Sequence, residues 1–195
     1  MINKTIDYWV FTQLVKERIA ITPVIAFIEK HFGSDWNYNV FKAGKDEVLQ
    51  IYDSETCYTC IGGSSADKEE WRSNFNALPL HNGIHRGYWN GSNDVLGNAS
   101  YIERPEMIFL GHSRGGAIAS VLVGRCINSR GVGFGTPKAY RKRNERLDFV
   151  NVRNPLDPVV HVVPFFATVG EVRKVKFAKH PHTQYGHNIN KEELI

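Results

Sequence analysis

The sequence is poor in cysteine and has no long apolar run. Three cysteines, an odd number, do not form the disulfide framework typical of small secreted proteins. No stretch approaches the ~20 consecutive apolar residues that span a membrane, and the first residues lack the apolar segment and cleavage site of a secretory signal. We therefore expect no integral membrane segment and a cytoplasmic protein, with release by lysis or a non-classical export route as the alternative.

The chain also carries little net charge. A formal charge of +4 permits attraction to anionic lipid surfaces but does not indicate a nucleic-acid partner. The 195 residues are 42% hydrophobic and 23% charged, which is ordinary for a globular protein with a sizeable core. We expect residues 1–195 to form a single domain, and the oligomeric state is left open.

Two of the cysteines form a C-x-x-C spacing. Cys57 and Cys60 lie in a strand-like run, where a separation of three residues places them on opposite faces of the sheet. No second pair exists that would complete a zinc site. We interpret both as reduced structural thiols, with redox or metal use as the alternative.

Hydrophobic periodicity predicts alternating helices and strands. Apolar residues at helical spacing predict helices over residues 5–20 and 23–32, and period-two alternation predicts a three-stranded meander over residues 37–61. Glycines and asparagines make any helix within residues 86–103 a weak one. Residues 165–177 contain either a strand pair or a long loop. Five lysines and arginines between residues 138 and 146 predict a solvated loop, or alternatively a patch for lipid headgroups or phosphate.

A glycine-flanked serine lies between a predicted strand and a predicted helix. Residues 107–110 are an apolar run, residues 117–123 are small and apolar, and Gly111-x-Ser113-x-Gly115 stands between them. This pattern is typical of the nucleophile elbow of α/β-hydrolases. The tight turn leaves no room for side chains two residues either side of the serine. The sequence therefore predicts Ser113 as a nucleophile, and the alternative is a glycine-rich turn with an incidental serine.

A nucleophilic serine needs a histidine base and a carboxylate that orients it. After Ser113, the best carboxylate is Asp157, between two prolines that stiffen its loop, whereas Asp148 lies within a predicted strand. His161 is too close to Asp157 to reach the serine, so the base is expected among His180, His182 and His187. These histidines have no acidic or cysteine partners nearby, so we expect no metal site.

Six segments together resemble one known family. They follow the family's order over residues 61–185, and the family's pattern follows each segment in parentheses: Ile61-Gly62-Gly63-Ser64 (F-R-G-[ST]), Ile84-His85-Arg86-Gly87-Tyr88 (V-H-x-G-F), Gly111-His112-Ser113-Arg114-Gly115-Gly116 (G-H-S-L-G-G), Phe134-Gly135-Thr136-Pro137-Lys138 (F-G-x-P-R), the loop of residues 154–164 (an aspartate before V-P-x-L-P), and His182-Thr183-Gln184-Tyr185 (a histidine followed closely by tyrosine). On these motifs the chain resembles the class 3 lipases, the family of the fungal triacylglycerol lipases.

The resemblance implies a fold, an activity and a set of roles. The fold would be α/β, an α/β-hydrolase with a mixed central sheet flanked by helices, compact and with a short lid region. Ser113 would be the nucleophile, Asp157 the orienting acid and His182 the general base, with His187 as the alternative base. The backbone amides of Ser64 and Arg114 would form the oxyanion hole, and His85 would be structural. The enzyme would hydrolyse lipid or other carboxylic esters through an acyl-enzyme and need no cofactor.

Three departures from the family pattern bear on the site. Gly62 replaces an arginine that would brace the oxyanion loop. Arg114 replaces the leucine after the nucleophile, which suggests a less apolar mouth or one that meets an anionic headgroup. The lid segment, residues 64–71, is short and polar, so we expect weak or no interfacial activation. Phospholipase A1-type, acyltransferase or thioesterase activity at the same site, or a catalytically idle hydrolase fold used as a binding module, are the alternatives.

Overall fold

A computed structural model describes residues 32–62, 83–163 and 165–175, together with the backbone of residues 79 and 80. The predicted helix over residues 5–20, all but the last residue of the one over 23–32, the lid segment and the C-terminal histidines lie outside the described residues. Within them, the strands and helices in chain order are β1 (Asn37–Ala43), β2 (Asp46–Tyr52), β3 (Thr56–Ile61), β4 (Pro79–Leu80), β5 (Ile84–His85), α1 (Arg86–Leu96), β6 (Glu106–His112), α2 (Arg114–Val123), β7 (Ser129–Phe134), β8 (Phe149–Arg153) and β9 (Glu171–Lys174), with a 3-10 turn at Pro158–His161 between the last two strands.

Seven of these strands form one mixed sheet in the order β1-β2-β3-β6-β7-β8-β9. The first three strands are an antiparallel meander, as predicted, and the turn at Gly44 has a φ of 59° that suits glycine. From β3 onward every neighbouring pair is parallel. The carboxyl ends of the parallel strands therefore meet at one edge of the sheet, where open α/β sheets bind their ligands.

Both described helices cover the same face of this sheet. Ala117, Ile118 and Val121 of α2 pack with Phe109 of β6 and Tyr88 of α1 in one buried cluster. The opposite face buries a second cluster that includes Tyr58, Ile108 and Leu110. Because β6 has buried side chains on both faces, its continuous apolar run is that of a central parallel strand.

The helix expected to be weak is well formed. Helix α1 spans Arg86–Leu96 and ends at Gly97, which serves as its C-cap. Gly91, in its middle, faces α2, and a Cβ atom there would lie 2.6 Å from Cδ1 of Ile118. The glycine therefore allows the two helices to approach closely, and tertiary packing outweighs its low helix propensity.

The described residues 165–175 form a loop followed by one strand, in a segment where the sequence predicts either a strand pair or a long loop. The strand, β9, extends the sheet as a parallel neighbour of β8. Along the loop, Tyr140 and Ala167 form an isolated antiparallel bridge. This bridge places residues 165–167 beside the basic loop of residues 138–146.

Candidate active site

Ser113 occupies a strained turn between β6 and α2. Its φ and ψ angles are 54° and −125°, a conformation that residues other than glycine rarely adopt. The amide of Ser113 donates to the carbonyl oxygen of Phe134 at 2.8 Å, and the side chain makes no capping hydrogen bond with the helix. The strand, strained turn and helix have the conformation typical of a nucleophile elbow, and the Ser113 hydroxyl is not used to cap α2.

The glycines on either side of Ser113 are required by close backbone contacts. A Cβ atom at Gly111 would lie 2.3 Å from the carbonyl carbon of Gly115, and one at Gly115 would lie 2.1 Å from the carbonyl oxygen of Ile61. Backbone atoms cannot move aside as a flexible side chain can. The sequence-based argument that no side chain fits two residues before or after the serine is therefore confirmed.

Replacing Gly115 by alanine is expected to lower stability and activity together. Because its Cβ would also lie 2.7 Å from the carbonyl oxygen of Gly62, helix α2 must move away from the end of β3. We expect a loss of about 3 kcal/mol in the free energy of unfolding, the upper range for overpacking a core, measured by urea denaturation.

Gly97→Ala is the matched control. Gly97 is exposed, and its φ and ψ of −84° and −2° are angles that alanine adopts without strain. Its Cβ would lie 3.0 Å from the carbonyl oxygen of Asn93, a contact that a small shift of the exposed last turn relieves. The free energy of unfolding should stay within about 1 kcal/mol of the wild-type value. Equal stability of the two variants would contradict the close approach of α2 to β3.

Asp157 is fully buried in a tight loop after β8. The side chain is 0% exposed, and its Oδ1 accepts from the amide of Val159 at 2.8 Å as the N-cap of the 3-10 turn. The Asp157 amide donates to the carbonyl oxygen of Asn154 at 3.0 Å, and the Asn154 side chain accepts from the amide of Leu156. The loop is therefore held by hydrogen bonds as well as by its two prolines.

Ser113 and Asp157 lie at the same edge of the sheet. Ser113 follows β6 and Asp157 lies beyond the end of β8, while β7 lies between these strands. Two strand spacings separate β6 from β8 by about 10 Å. In a catalytic triad, an imidazole ring bridges a separation of this size between the serine and the carboxylate. The geometry is thus suited to a histidine placed between Ser113 and Asp157.

Part of the predicted site lies outside the described residues. The expected general base His182, the alternative base His187 and the oxyanion residue Ser64 all belong to this part. The loop expected to carry the oxyanion residue is described as far as Gly62, whose amide donates to the carbonyl oxygen of Glu47 at 2.9 Å. The amide of Arg114 belongs to the first turn of α2, where helix geometry and the helix dipole favour a developing negative charge.

The side chain of Arg114 does not face the mouth of the site, contrary to expectation. It is 7% exposed and forms a bidentate ion pair with Asp46, in which Nε to Oδ1 and Nη2 to Oδ2 are both 2.9 Å. A guanidinium that is bound to a buried carboxylate does not bind a lipid headgroup as well. The inference of an anionic-substrate preference from Arg114 is therefore wrong.

Two other histidines have structural positions. His85 is 1% exposed, caps α1 by accepting from the amide of Gly87 at 3.1 Å, and stacks on Tyr88 at 4.3 Å between ring centroids. This agrees with the structural role expected for it. His161 is exposed, and its Nε2 lies 3.2 Å from the carbonyl oxygen of Pro155, so it stays on the same loop as Asp157, as predicted.

The C-x-x-C pair is buried and divided between the two faces of the sheet. Cys57 and Cys60 are free thiols that belong to different core clusters. Burial raises the pKa of the Cys57 thiol to about 11 and also raises the pKa of Cys60. Because the thiolate is the reactive and metal-binding form, both have the character of structural thiols. In the part of the chain that is described, no group of three or more histidine, cysteine or carboxylate side chains is arranged to hold a metal ion.

Sequence reasoning missed Asp46 as a residue of this region. The sequence places it only in a turn between two strands, yet it is 3% exposed and pairs with the residue that follows the nucleophile. The partners are 68 residues apart, so no local pattern reveals the pair. The only signal is an unexplained arginine in an otherwise apolar elbow helix.

Comparison with known proteins finds similarity in structure but not in sequence. No protein-family model matches the chain, and no curated protein sequence matches it significantly. Among solved structures, a lipase from Rhizopus microsporus var. chinensis superimposes with a TM-score of 0.67 and 16% identity, over 89% of this chain and 74% of that one. Lipase II from Rhizopus niveus gives 0.62 and 16%, over 94% and 84%.

A third solved structure is a triacylglycerol lipase whose catalytic centre is formed by a serine protease triad. It has a TM-score of 0.64 and 16% identity, and the alignment covers 87% of this chain and 78% of that one. The alignments thus include most of each chain, although few residues are identical. The predicted α/β-hydrolase fold is confirmed: the chain has the fold of the fungal lipases.

Proposed function

We propose that the chain is a serine carboxylester hydrolase that cleaves lipid or other carboxylic esters. Ser113 acts as nucleophile, Asp157 as orienting acid and His182 as general base, with His187 as the alternative base. The observation that carries this proposal is the strained backbone of Ser113 at the N-terminus of α2, on the same sheet edge as the buried carboxylate of Asp157. Similarity to a triacylglycerol lipase with a serine protease triad supports it.

The proposed mechanism has two half-reactions. Oγ of Ser113 attacks the ester carbonyl carbon while His182 accepts its proton, and Asp157 holds the imidazole and stabilises its positive charge. The amides of Arg114 and Ser64 donate hydrogen bonds to the carbonyl oxygen as it becomes negative. His182 then protonates the departing alcohol, and an acyl-enzyme is left. Water attacks the acyl carbonyl carbon while His182 accepts its proton. His182 then returns a proton to Oγ of Ser113 as the bond from Oγ to the acyl carbon breaks, which releases the acid and free Ser113.

The experiment that tests this function combines an activity series with a covalent probe. Hydrolysis of p-nitrophenyl esters is measured from acetate to palmitate, and the protein is treated with a fluorophosphonate that labels activated serines. We expect turnover of at least part of the series and stoichiometric labelling at Ser113. The preferred acyl length separates an esterase from a lipase.

Three outcomes would favour the alternatives. A protein that neither turns over an ester nor reacts with the probe would be a binding module with a hydrolase fold. Faster product formation when an alcohol or thiol acceptor is added would indicate acyl transfer, because the acyl-enzyme is common to both reactions. Activity on the first ester of a phospholipid would identify a phospholipase A1-type substrate.

The polar composition of the lid segment predicts how activity changes when the substrate forms aggregates. Residues 64–71 are mainly serine, aspartate, lysine and glutamate, and only Ala66 and Trp71 among them are apolar. A lid that opens at an oil–water interface needs an apolar inner face, which this composition does not supply. We propose that activity rises smoothly through the solubility limit of a short-chain triacylglycerol. A sharp increase at that limit would contradict this proposal.

Contact with a lipid surface is proposed through the basic loop of residues 138–146. Arg141, Lys142 and Arg146 are exposed, whereas Arg143 pairs with Glu145 at 2.8 Å. On the neighbouring loop, which joins this one through the Tyr140–Ala167 bridge, Phe165 is 87% exposed. Cations beside an exposed aromatic side chain are typical of contacts with anionic membranes.

Vesicle sedimentation tests this contact. We expect binding to vesicles with anionic lipid to exceed binding to phosphatidylcholine vesicles, to fall as salt is added, and to weaken in Phe165→Ser. Equal binding to both vesicle types would contradict a role for the basic loop.

The number of domains in the chain and its cellular location are predictions from the sequence. Among the described residues, no helix is long and apolar enough to cross a membrane. We propose one domain over residues 1–195 because the alignments with single lipase chains extend over 87% and 94% of this chain. A cytoplasmic location is proposed from the sequence alone, and fractionation of cells that express the protein tests it.

A further inference from the structure

The ion pair between Arg114 and Asp46 has the geometry of a rigid connection. Two charge-assisted hydrogen bonds of 2.9 Å join the planar guanidinium to both carboxylate oxygens. The side chains are 7% and 1% exposed. Removing two such charges from water is costly, and a buried ion pair often adds little net stability compared with apolar residues of the same volume. The main effect of this ion pair is therefore to orient the Arg114 side chain rather than to stabilise the fold.

Helix α1 leaves room for the guanidinium through two glycines spaced one turn apart. A Cβ atom at Gly91 would lie 3.2 Å from Nη2 of Arg114, and a Cβ atom at Gly87 would lie 3.8 Å from Nη1. Arg114 thus extends from the start of α2 along α1 to the start of β2. Its orientation is determined by packing along its length and by a carboxylate at its end.

Glu47, the residue after Asp46, binds the chain just beyond the end of β3. The carbonyl oxygen of Glu47 accepts from the amide of Gly62 at 2.9 Å, just beyond β3. Gly62 is two residues before Ser64, which belongs to the proposed oxyanion hole. Adjacent residues at the start of β2 therefore contact both segments that would supply oxyanion-hole amides: Asp46 through its side chain and Glu47 through its backbone.

We propose that Asp46 is a positioning residue for the oxyanion hole, an inference that rests on the proposed hydrolase function. By holding the Arg114 side chain, Asp46 fixes the position of the Arg114 amide at the start of α2 relative to the start of β2, where Glu47 binds the amide of Gly62. Preorganised donors stabilise the tetrahedral intermediate more than the bound ester, because the negative charge develops only on reaching the transition state. Loss of the pair therefore lowers kcat and leaves KM nearly unchanged.

The test uses two variants of the full chain. Asp46→Asn removes the carboxylate charge that pairs with the buried guanidinium, which destabilises the fold. Asp46→Leu/Arg114→Met replaces the pair by apolar side chains and keeps the backbone amide at position 114. In both we expect kcat for a p-nitrophenyl ester to fall by about 10- to 100-fold, as for a displaced oxyanion donor, with KM changed less than about twofold.

A transition-state analogue provides a readout that a purely structural role would not change. An alkylboronic acid forms a tetrahedral adduct with the serine, so its inhibition constant should rise by the same factor as kcat falls. The matched control is Glu106→Gln, which breaks the exposed ion pair of Glu106 with Arg130 at the opposite edge of the sheet. This variant should keep wild-type kcat and boronate affinity.

The outcomes separate this inference from the proposed function. A folded double variant with wild-type kcat and boronate affinity would overturn the positioning role while the wild-type activity stands. A lower kcat without weaker boronate binding would also overturn it. A wild-type protein that neither hydrolyses esters nor reacts with a fluorophosphonate would contradict the hydrolase function, and with it the inference.

Discussion

Ser113→Ala is expected to reduce kcat for p-nitrophenyl ester hydrolysis by about 10⁵- to 10⁶-fold, the scale seen when a serine hydrolase loses its nucleophile. The side chain makes no capping hydrogen bond with α2, and the turn is held by the Ser113 amide and by glycines. The fold should therefore tolerate alanine, with an unchanged circular dichroism spectrum. Initial rates of ester hydrolysis and loss of fluorophosphonate labelling measure the effect.

Ser120→Ala is the matched control for this substitution. Ser120 is a buried serine of the same helix, and its hydroxyl donates to the carbonyl oxygen of Ala117 at 2.7 Å. Its removal should leave kcat within about twofold of wild type, because the surrounding packing is kept. Residual activity of Ser113→Ala within tenfold of the wild-type rate would show that another group attacks the ester.

Asp157→Asn is expected to lower kcat by about 10⁴-fold without unfolding the loop, as when the acid of a triad becomes an amide. An asparagine oxygen still accepts from the amide of Val159, the bond that Oδ1 makes at 2.8 Å. In the proposed triad, however, its NH₂ group would turn a donor toward the imidazole and favour the wrong tautomer of the base. Rates of ester hydrolysis and a thermal unfolding midpoint near that of wild type together test this result.

Asp148→Asn is the control for the acid. Asp148 is an exposed aspartate directly before β8, and Asp157 lies in the loop beyond that strand. Its amide variant should hydrolyse esters at the wild-type rate. If Asp157→Asn lost less than tenfold in kcat while staying folded, another carboxylate would be orienting the base.

Local sequence patterns predict the elements that depend on nearby residues. The β1–β3 meander follows from alternating side chains and short turns, and the elbow follows from an apolar strand, two glycines and a small-residue helix. Asp157 stands out because prolines and a preceding strand mark a rigid loop. These features require no knowledge of distant parts of the chain.

Features that depend on distant contacts escape such prediction. Low helix propensity at Gly91 indicates a weak helix, yet that glycine is what permits the contact of α1 with Ile118. The polar character of Arg114 suggests a place at the mouth, although its partner Asp46 is 68 residues away. Each error arises where tertiary packing outweighs local preference.

The buried pair between Arg114 and Asp46 also restricts how this sequence can diverge. Changing either residue alone breaks this buried ion pair, which costs about 3 to 5 kcal/mol, so a lineage must alter both sites nearly together. Proteins of this fold with leucine at the position of Arg114 should therefore lack an acidic residue at the position of Asp46. Correlated substitution at these two positions is the evolutionary trace that we expect this contact to leave.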